Sequence, residues 1–199
     1  MNLFENEFNH NLLPFDGEVY LFGFVFSSNQ ANSFFEQLLT SIEWKPDTLV
    51  MFGKEISTKR KVAWYGDKAS VYTYSNSTKS PLPWNPILLE IKKMIEDKTG
   101  EQFNACLLNL YHDGTEGMGW HSDDEKELGP EPVIASLSLG ATRNFVFKHR
   151  KTKQKQGINL ESGMLLIMKG RTQQHWQHSL LKATRVKSPR INLTFRTIY

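Results

Sequence analysis

The residues able to do chemistry in this 199-residue chain concentrate in its second half. His121 and Asp123 stand two positions apart in Gly117-Met-Gly-Trp-His-Ser-Asp-Asp-Glu125. On an extended segment, positions i and i+2 point to the same side, so one imidazole and one carboxylate converge. A third donor is available from His175 or His178 of His-Trp-Gln-His on a neighbouring strand, and strand parity alone does not choose between them. Two imidazoles and one carboxylate on one face leave about three positions of an octahedral ion open, which lets a non-haem Fe(II) hold a cosubstrate and O2 together. The final run, Pro189-Arg-Ile-Asn-Leu-Thr-Phe-Arg-Thr-Ile-Tyr199, supplies the complement. Period two puts Arg190, Asn192, Thr194 and Arg196 on one face and Ile191, Leu193 and Phe195 on the other. Guanidinium groups turned into a barrel need anionic partners. A dicarboxylate satisfies both, because the planar fork of Arg grips a carboxylate through charge-assisted hydrogen bonds. Asn109 and Tyr111 share a face and each can hydrogen-bond a carboxylate.

Those side chains need strands to carry them. From Phe103 onward, short strand-like runs follow one another: Ala105–Tyr111, Val133–Leu139, Asn144–His149, Met164–Met168, His175–Ser179 and Ile191–Ile198. Turn residues separate them, which predicts an antiparallel barrel or jelly-roll sandwich. Upstream, Glu18–Phe26 alternates as a strand. Ser28–Glu43 then sets Ala31, Phe34, Phe35, Leu38, Leu39 and Ile42 at helical spacing behind a cap at Ser28. A second helix, Asn85–Lys98, has Asn85 as its cap, Pro86 in its first turn, an Ile87, Leu88, Ile91, Met94 and Ile95 stripe, and Gly100 at its exit. The two helices are expected to cover one face of the sheet. Between them, Gly53, Gly66, Pro81 and Pro83 punctuate short apolar runs and predict hairpins over residues 47–83.

Composition restricts the class. With 39% hydrophobic, 12% aromatic and 23% charged residues the chain builds a globular core, which excludes a disordered or fibrous protein. The lone Cys106 excludes an intrachain disulfide and a thiolate metal cluster, and suits a reducing compartment. The first residues lack the basic and apolar regions of a signal peptide, and no run approaches the roughly 18 apolar residues of a membrane span. The cytosol, or the nucleus in a eukaryote, is the expected compartment. The net charge of +3 hides an asymmetry: residues 141–199 hold 13 Lys and Arg against Glu161 alone, whereas residues 1–140 hold 11 against 20 acids. A basic C-terminal third suits a polyanion or an acidic small molecule.

Taken together, Asn109-Leu-Tyr111, His121-x-Asp123-Asp-Glu125, Ser136-Leu-Ser-Leu-Gly140-Ala-x-Arg143-x-Phe-x-Phe147, His175-Trp-x-His178 and Pro189-Arg-x-Asn-Leu-Thr-Phe-Arg196 resemble the AlkB family. The similarity covers about residues 47–199 and is nearest to the nucleic-acid repair branch. The resemblance implies an α+β fold: a double-stranded β-helix (jelly-roll) core at about 103–199, N-terminal helices packed on one sheet, and nucleotide-recognition hairpins at about 47–83. It implies one domain over 18–199, with residues 1–17 as an N-terminal arm.

The resemblance also implies roles. His121, Asp123 and His178 become Fe(II) ligands, which selects His178 over His175. Arg196 takes the far carboxylate of 2-oxoglutarate, and Asn109, Tyr111, Arg190 and Asn192 complete that pocket, with Arg190 mainly orienting ligands around the iron. The implied activity uses O2 and 2-oxoglutarate to remove N-methyl groups of the 1-methyladenine or 3-methylcytosine type from single- or double-stranded DNA and from RNA, releasing formaldehyde, succinate and CO2. Tyr72 and Tyr74, on one face, frame the extruded base, and Glu125 contacts it. Phe52 is the wedge that fills the gap in a duplex, with Arg60 beside it for phosphate. A monomer without membrane contact is expected. The alternative is a 2-oxoglutarate-dependent oxygenase acting on a protein side chain or a small molecule.

Overall fold

The computed structural model describes residues 10–51, 54–67, 72–74 and 77–199, with side chains over 10–48, 57–67 and 80–199. Phe52 lies outside the described residues, as do the side chains of Tyr72 and Tyr74. The strands are β1 (Glu18–Phe24), β2 (Lys45–Met51), β3 (Lys54–Gly66), β4 (Tyr72–Tyr74), β5 (Ser77–Lys79), β6 (Ala105–Tyr111), β7 (Met118–His121), β8 (Ile134–Gly140), β9 (Arg143–His149), β10 (Lys155–Leu160), β11 (Met164–Lys169), β12 (Trp176–Leu180) and β13 (Arg190–Arg196). The helices are α1 (Ser28–Ser41), α2 (Pro86–Thr99) and the single turn α3 (Thr172–His175).

A seven-stranded sheet in the order β1-β11-β8-β13-β6-β3-β2 faces a four-stranded sheet, β10-β9-β12-β7, and β4 with β5 forms a separate hairpin. The strand pairs of both sheets are antiparallel. This is the jelly-roll core within an α+β fold.

The alternation of β13 divides the large sheet chemically. Ile191, Leu193 and Phe195 are fully buried in the core, which also holds Leu108, Leu110, Leu137 and Leu139 from the flanking strands. Ala31, Phe34 and Leu38 of α1 and Leu88, Ile91 and Ile95 of α2 seal that face. At about 25 cal/mol per Å² of apolar surface removed from water, such burial dominates the stability of this layer. The other face turns Arg190, Asn192, Thr194 and Arg196 toward the small sheet.

Helix α1 is capped one residue earlier than its pattern suggests. Ser27, not Ser28, accepts the Gln30 N–H, and Gln30 Oε1 accepts the Ser27 N–H, a reciprocal capping box. Helix α2 ends on Gly100 at φ +76°, a left-handed exit open to glycine. Residues 10–17 do not extend as an arm. Leu13 is buried, Phe15 packs on His149 and Trp176, and Trp176 Nε1 donates to the Phe15 carbonyl. The apolar Leu12-Leu13-Pro-Phe15 run has surface to bury, and the end of the sandwich receives it.

Candidate active site

Register creates the first pair of donors. β12 pairs with β7 so that His178 stands directly opposite His121, with ring centroids 4.2 Å apart. Asp123 follows β7 by two residues, and its Oδ1 lies 3.9 Å from Nε2 of each histidine. One ligand atom from each of the three falls within 4.8 Å of the others.

Groups behind these three set their chemical state. His121 Nδ1 donates to the Gly119 carbonyl at 2.8 Å, so its Nε2 presents a lone pair toward Asp123. Burial pulls His178 down to about 3, helped by the neighbouring His121, which keeps this imidazole neutral at pH 7. For Asp123, burial pushes the carboxyl up, but Arg196 and the two histidines outweigh it and bring it to about 2. Arg196 Nη2 donates to Asp123 Oδ2 at 2.9 Å and leaves Oδ1 for the histidine side. The Asp123 N–H donates to Gln173 Oε1, and Ser122 Oγ donates to the Trp176 carbonyl while accepting from Arg150. Two imidazoles that turn Nε2 toward an ionised carboxylate form a donor set that fits a divalent transition metal.

A cavity of about 650 Å³ runs from this triad along the polar face of the large sheet, walled by Asn109, Tyr111, Arg190, Asn192, Thr194 and Arg196 among others. Arg190 is buried, donates to Ser138 Oγ at 2.9 Å, and has no acidic partner within ion-pair distance among the described residues. Burial lowers it to about 10, so it remains cationic at neutral pH. Tyr111 lies under three guanidinium groups, with Arg190, Arg143 and Arg60 at 5.7, 5.9 and 6.0 Å from its ring. Arg60 is neutralised by Asp47 and Arg196 by Asp123. Of the three arginines that line the cavity, Arg190 is the one with no acidic partner among the described residues.

Three sequence-based assignments change. Arg196 sits against the triad and Arg190 six residues away beside Tyr111, so the order implied for the two arginines is reversed. Strand parity puts both on one face; only their position along β13 separates them. Arg60 does not offer itself to phosphate: it is 5% exposed, ion-paired to Asp47, and hydrogen-bonded to Asn109 Oδ1. Asn192 lines the cavity but spends its amide hydrogens on Ser136 Oγ and the Leu137 carbonyl, and its oxygen on Thr194. Glu125 is half-buried and lies off the cavity wall. The sequence reading missed Asp47, Ser122 and Gln173. Asp47 carried a signal, as an acid in a β-rich segment opposite a basic run; Gln173 carried none.

A second triplet has the same composition. Asp16, His149 and His175 also place one ligand atom each within 4.8 Å of one another. Here, however, His149 Nδ1 accepts the Thr152 N–H at 3.1 Å. Its proton must therefore sit on Nε2, which faces Asp16 Oδ2 at 3.4 Å. That nitrogen carries its proton on the side of a carboxylate and has no lone pair for a metal.

A jelly roll that carries two imidazoles and a carboxylate at one end of a cavity, with arginines on the same wall, defines the class of Fe(II)- and 2-oxoglutarate-binding folds. The family profile of the 2OG-Fe(II) oxygenase superfamily matches residues 17–196. The chain is 44% identical over 187 residues to the alpha-ketoglutarate-dependent dioxygenase alkB homolog 3 of Bos taurus, covering 89% of this chain and 64% of that protein. It is 41% identical over 185 residues to the DNA oxidative demethylase ALKBH2 of Homo sapiens, covering 87% and 71%. The solved structure of OsALKBH1 superposes with a TM-score of 0.61 over 93% of this chain and 98% of that one; at 17% identity the likeness concerns the fold. The chain belongs to the AlkB family of 2OG-Fe(II) oxygenases. It spans 64% of the length of the alkB homolog 3 proteins of Bos taurus and Homo sapiens.

Proposed function

We propose that this protein is an Fe(II)- and 2-oxoglutarate-dependent dioxygenase that oxidatively demethylates N-alkylated bases of the 1-methyladenine and 3-methylcytosine type in DNA, and also in RNA. The observation that carries the reading is one cavity that joins the His121, Asp123 and His178 donor set to a buried, acid-free Arg190. The similarity to a protein named DNA oxidative demethylase supports the substrate class.

His121, Asp123 and His178 would hold the metal through Nε2, Oδ1 and Nε2. Bound Fe(II), with 2-oxoglutarate and O2, supplies the oxidising power that converts an N-methyl carbon to formaldehyde while the cosubstrate becomes succinate and CO2. Arg190 holds the distal carboxylate of the cosubstrate, with Tyr111 and Asn109 adding hydrogen bonds from the same wall. Arg196 keeps Asp123 ionised and turned toward the histidines. The protein thus contributes position and electrostatics, and no side chain serves as a nucleophile. Phe52, Tyr72, Tyr74 and Glu125 remain assigned to the base and its duplex by family resemblance.

The test is a mass-spectrometric assay on oligonucleotides bearing 1-methyladenine or 3-methylcytosine, with Fe(II) and 2-oxoglutarate. Each lesion should lose one methylene equivalent, with formaldehyde and succinate formed one to one. Succinate formation indifferent to every methylated oligonucleotide, yet stimulated by a peptide or small molecule, overturns this reading in favour of the alternative.

A further inference from the structure

Asp47 and Arg60 are among the most deeply buried charged residues, at 2% and 5% exposure, and both line the cavity on the side away from the small sheet. The chain departs from regular pairing to put them there. β2 and β3 are in register at Pro46 with Lys61 and at Thr48 with Ser57, so Asp47 alone faces the Thr58, Lys59 and Arg60 segment. Such irregularities re-aim side chains, and this one turns Asp47 and Arg60 onto each other. Arg60 Nη2 binds Asp47 Oδ2, and Nη1 binds Asn109 Oδ1.

The second bond has a directional consequence. Arg can only donate, so the Asn109 atom it holds must be the amide oxygen. The orientation of that amide, otherwise free to flip, is fixed. Asn109 Nδ2 has no hydrogen-bond partner among the described residues, and Asn109 lines the cavity. We infer that the Asp47–Arg60 pair is a positioning device for cosubstrate binding: Arg60 turns the Asn109 amide so that its N–H groups meet the keto-diacid, and Asp47 neutralises Arg60. Asp47 also occupies the fork of Arg60, which leaves Arg190 as the anion receptor of the cavity. The inference rests on the proposed function and extends it to two residues outside the expected cosubstrate set.

The measurement is calorimetric affinity for 2-oxoglutarate on Mn(II)-loaded protein. Removing Arg60 alone strands a buried carboxylate and endangers folding. The working variant is therefore Asp47→Asn with Arg60→Met, which removes both charges, and Arg60→Lys is the conservative rescue. The double variant should bind 2-oxoglutarate about tenfold more weakly, with Mn(II) affinity within about twofold of wild type, and Arg60→Lys should recover part of the loss. Asn109→Ala should weaken binding similarly, and the triple variant no further, because the pair acts through Asn109. A folded double variant with wild-type affinity overturns the inference, as does a triple variant whose losses multiply. In wild-type protein, NMR should show slowly exchanging Arg60 Nη protons close to Asn109; rapidly exchanging ones overturn it without any variant. Wild-type protein that fails to bind 2-oxoglutarate overturns the proposed function as well, and so separates the two failures.

Discussion

The two His-His-Asp triplets of this chain, His121, Asp123 and His178 on one side and Asp16, His149 and His175 on the other, match in composition and in spread. They differ in what stands behind each donor. His121 gives its Nδ1 proton to a carbonyl and offers Nε2; His149 accepts an N–H at Nδ1 and must keep its proton on Nε2. Asp123 is buried and held ionised by Arg196, whereas Asp16 is 52% exposed at its side chain and lies 3.4 Å from His149 Nε2. Proximity of donors is therefore insufficient. A metal site needs neutral imidazoles with lone pairs aimed inward and a carboxylate that stays charged, and the surrounding hydrogen bonds decide both.

The largest effect expected of this contrast is in metal stoichiometry. Wild-type protein should bind one Mn(II) or Co(II) per chain at micromolar concentrations. Asp123→Ala should weaken that binding by about 100-fold or more, with loss of turnover, while Asp16→Ala changes neither. Metal analysis after dialysis reads both. Two equivalents in wild type, falling to one in Asp16→Ala, would break the distinction.

Much of the first triplet was legible because strand period two is a strong rule. It paired His121 with Asp123 and set Arg190, Asn192, Thr194 and Arg196 on one face, and Ala105–Tyr111 was read to the residue. The same rule carried further than it was taken. Lys59-Arg60-Lys61 looks like a phosphate grip, yet Arg60 has the parity of Val62 and Trp64, which face the cavity. β10 is an edge strand that buries only Leu160, so its apolar pattern is too weak to read from the sequence. Gly117 and Gly119 broke the pattern of β7. Gln173 acts across 50 residues of sequence on the Asp123 N–H, and no local pattern encodes such a contact. The second triplet was invisible for the same reason, since Asp16 and His149 meet only after the sandwich closes.

A smaller effect sharpens the comparison from within the first site. Arg196→Gln keeps a hydrogen-bond donor near Asp123 but removes the charge that offsets its burial. Gln173→Leu keeps the volume and removes the acceptor of the Asp123 N–H. Each should reduce metal affinity by about 10–100-fold, the range for groups that orient ligands without touching the ion, with Arg196→Gln the greater loss. Competition against a fluorescent chelator measures both. Should either leave metal affinity at its wild-type value, the claim that the groups behind the ligands decide the site loses its support.

The smallest effect belongs to the second triplet, and it is one of stability. His149→Phe keeps a ring of similar size between Phe15 and Trp176, so the packing that fastens residues 10–17 to the sandwich should survive. It removes the acceptor of the Thr152 N–H and the partner of Asp16. The backbone group is the costlier loss, because Asp16 can turn to solvent whereas the Thr152 N–H is part of the turn that closes β9 onto β10. About 1 kcal/mol is expected for one such hydrogen bond, which in a chain of this size lowers Tm by about 2–4 °C. Metal stoichiometry, metal affinity and turnover should not move. A drop in bound metal, with Tm unchanged, would mean that His149 is a ligand after all and that the Thr152 hydrogen bond does not fix its proton. The stability-only outcome would assign this triplet to fastening the N-terminal segment, with the same three side-chain types doing mechanical work at one end of the sandwich and chemical work at the other.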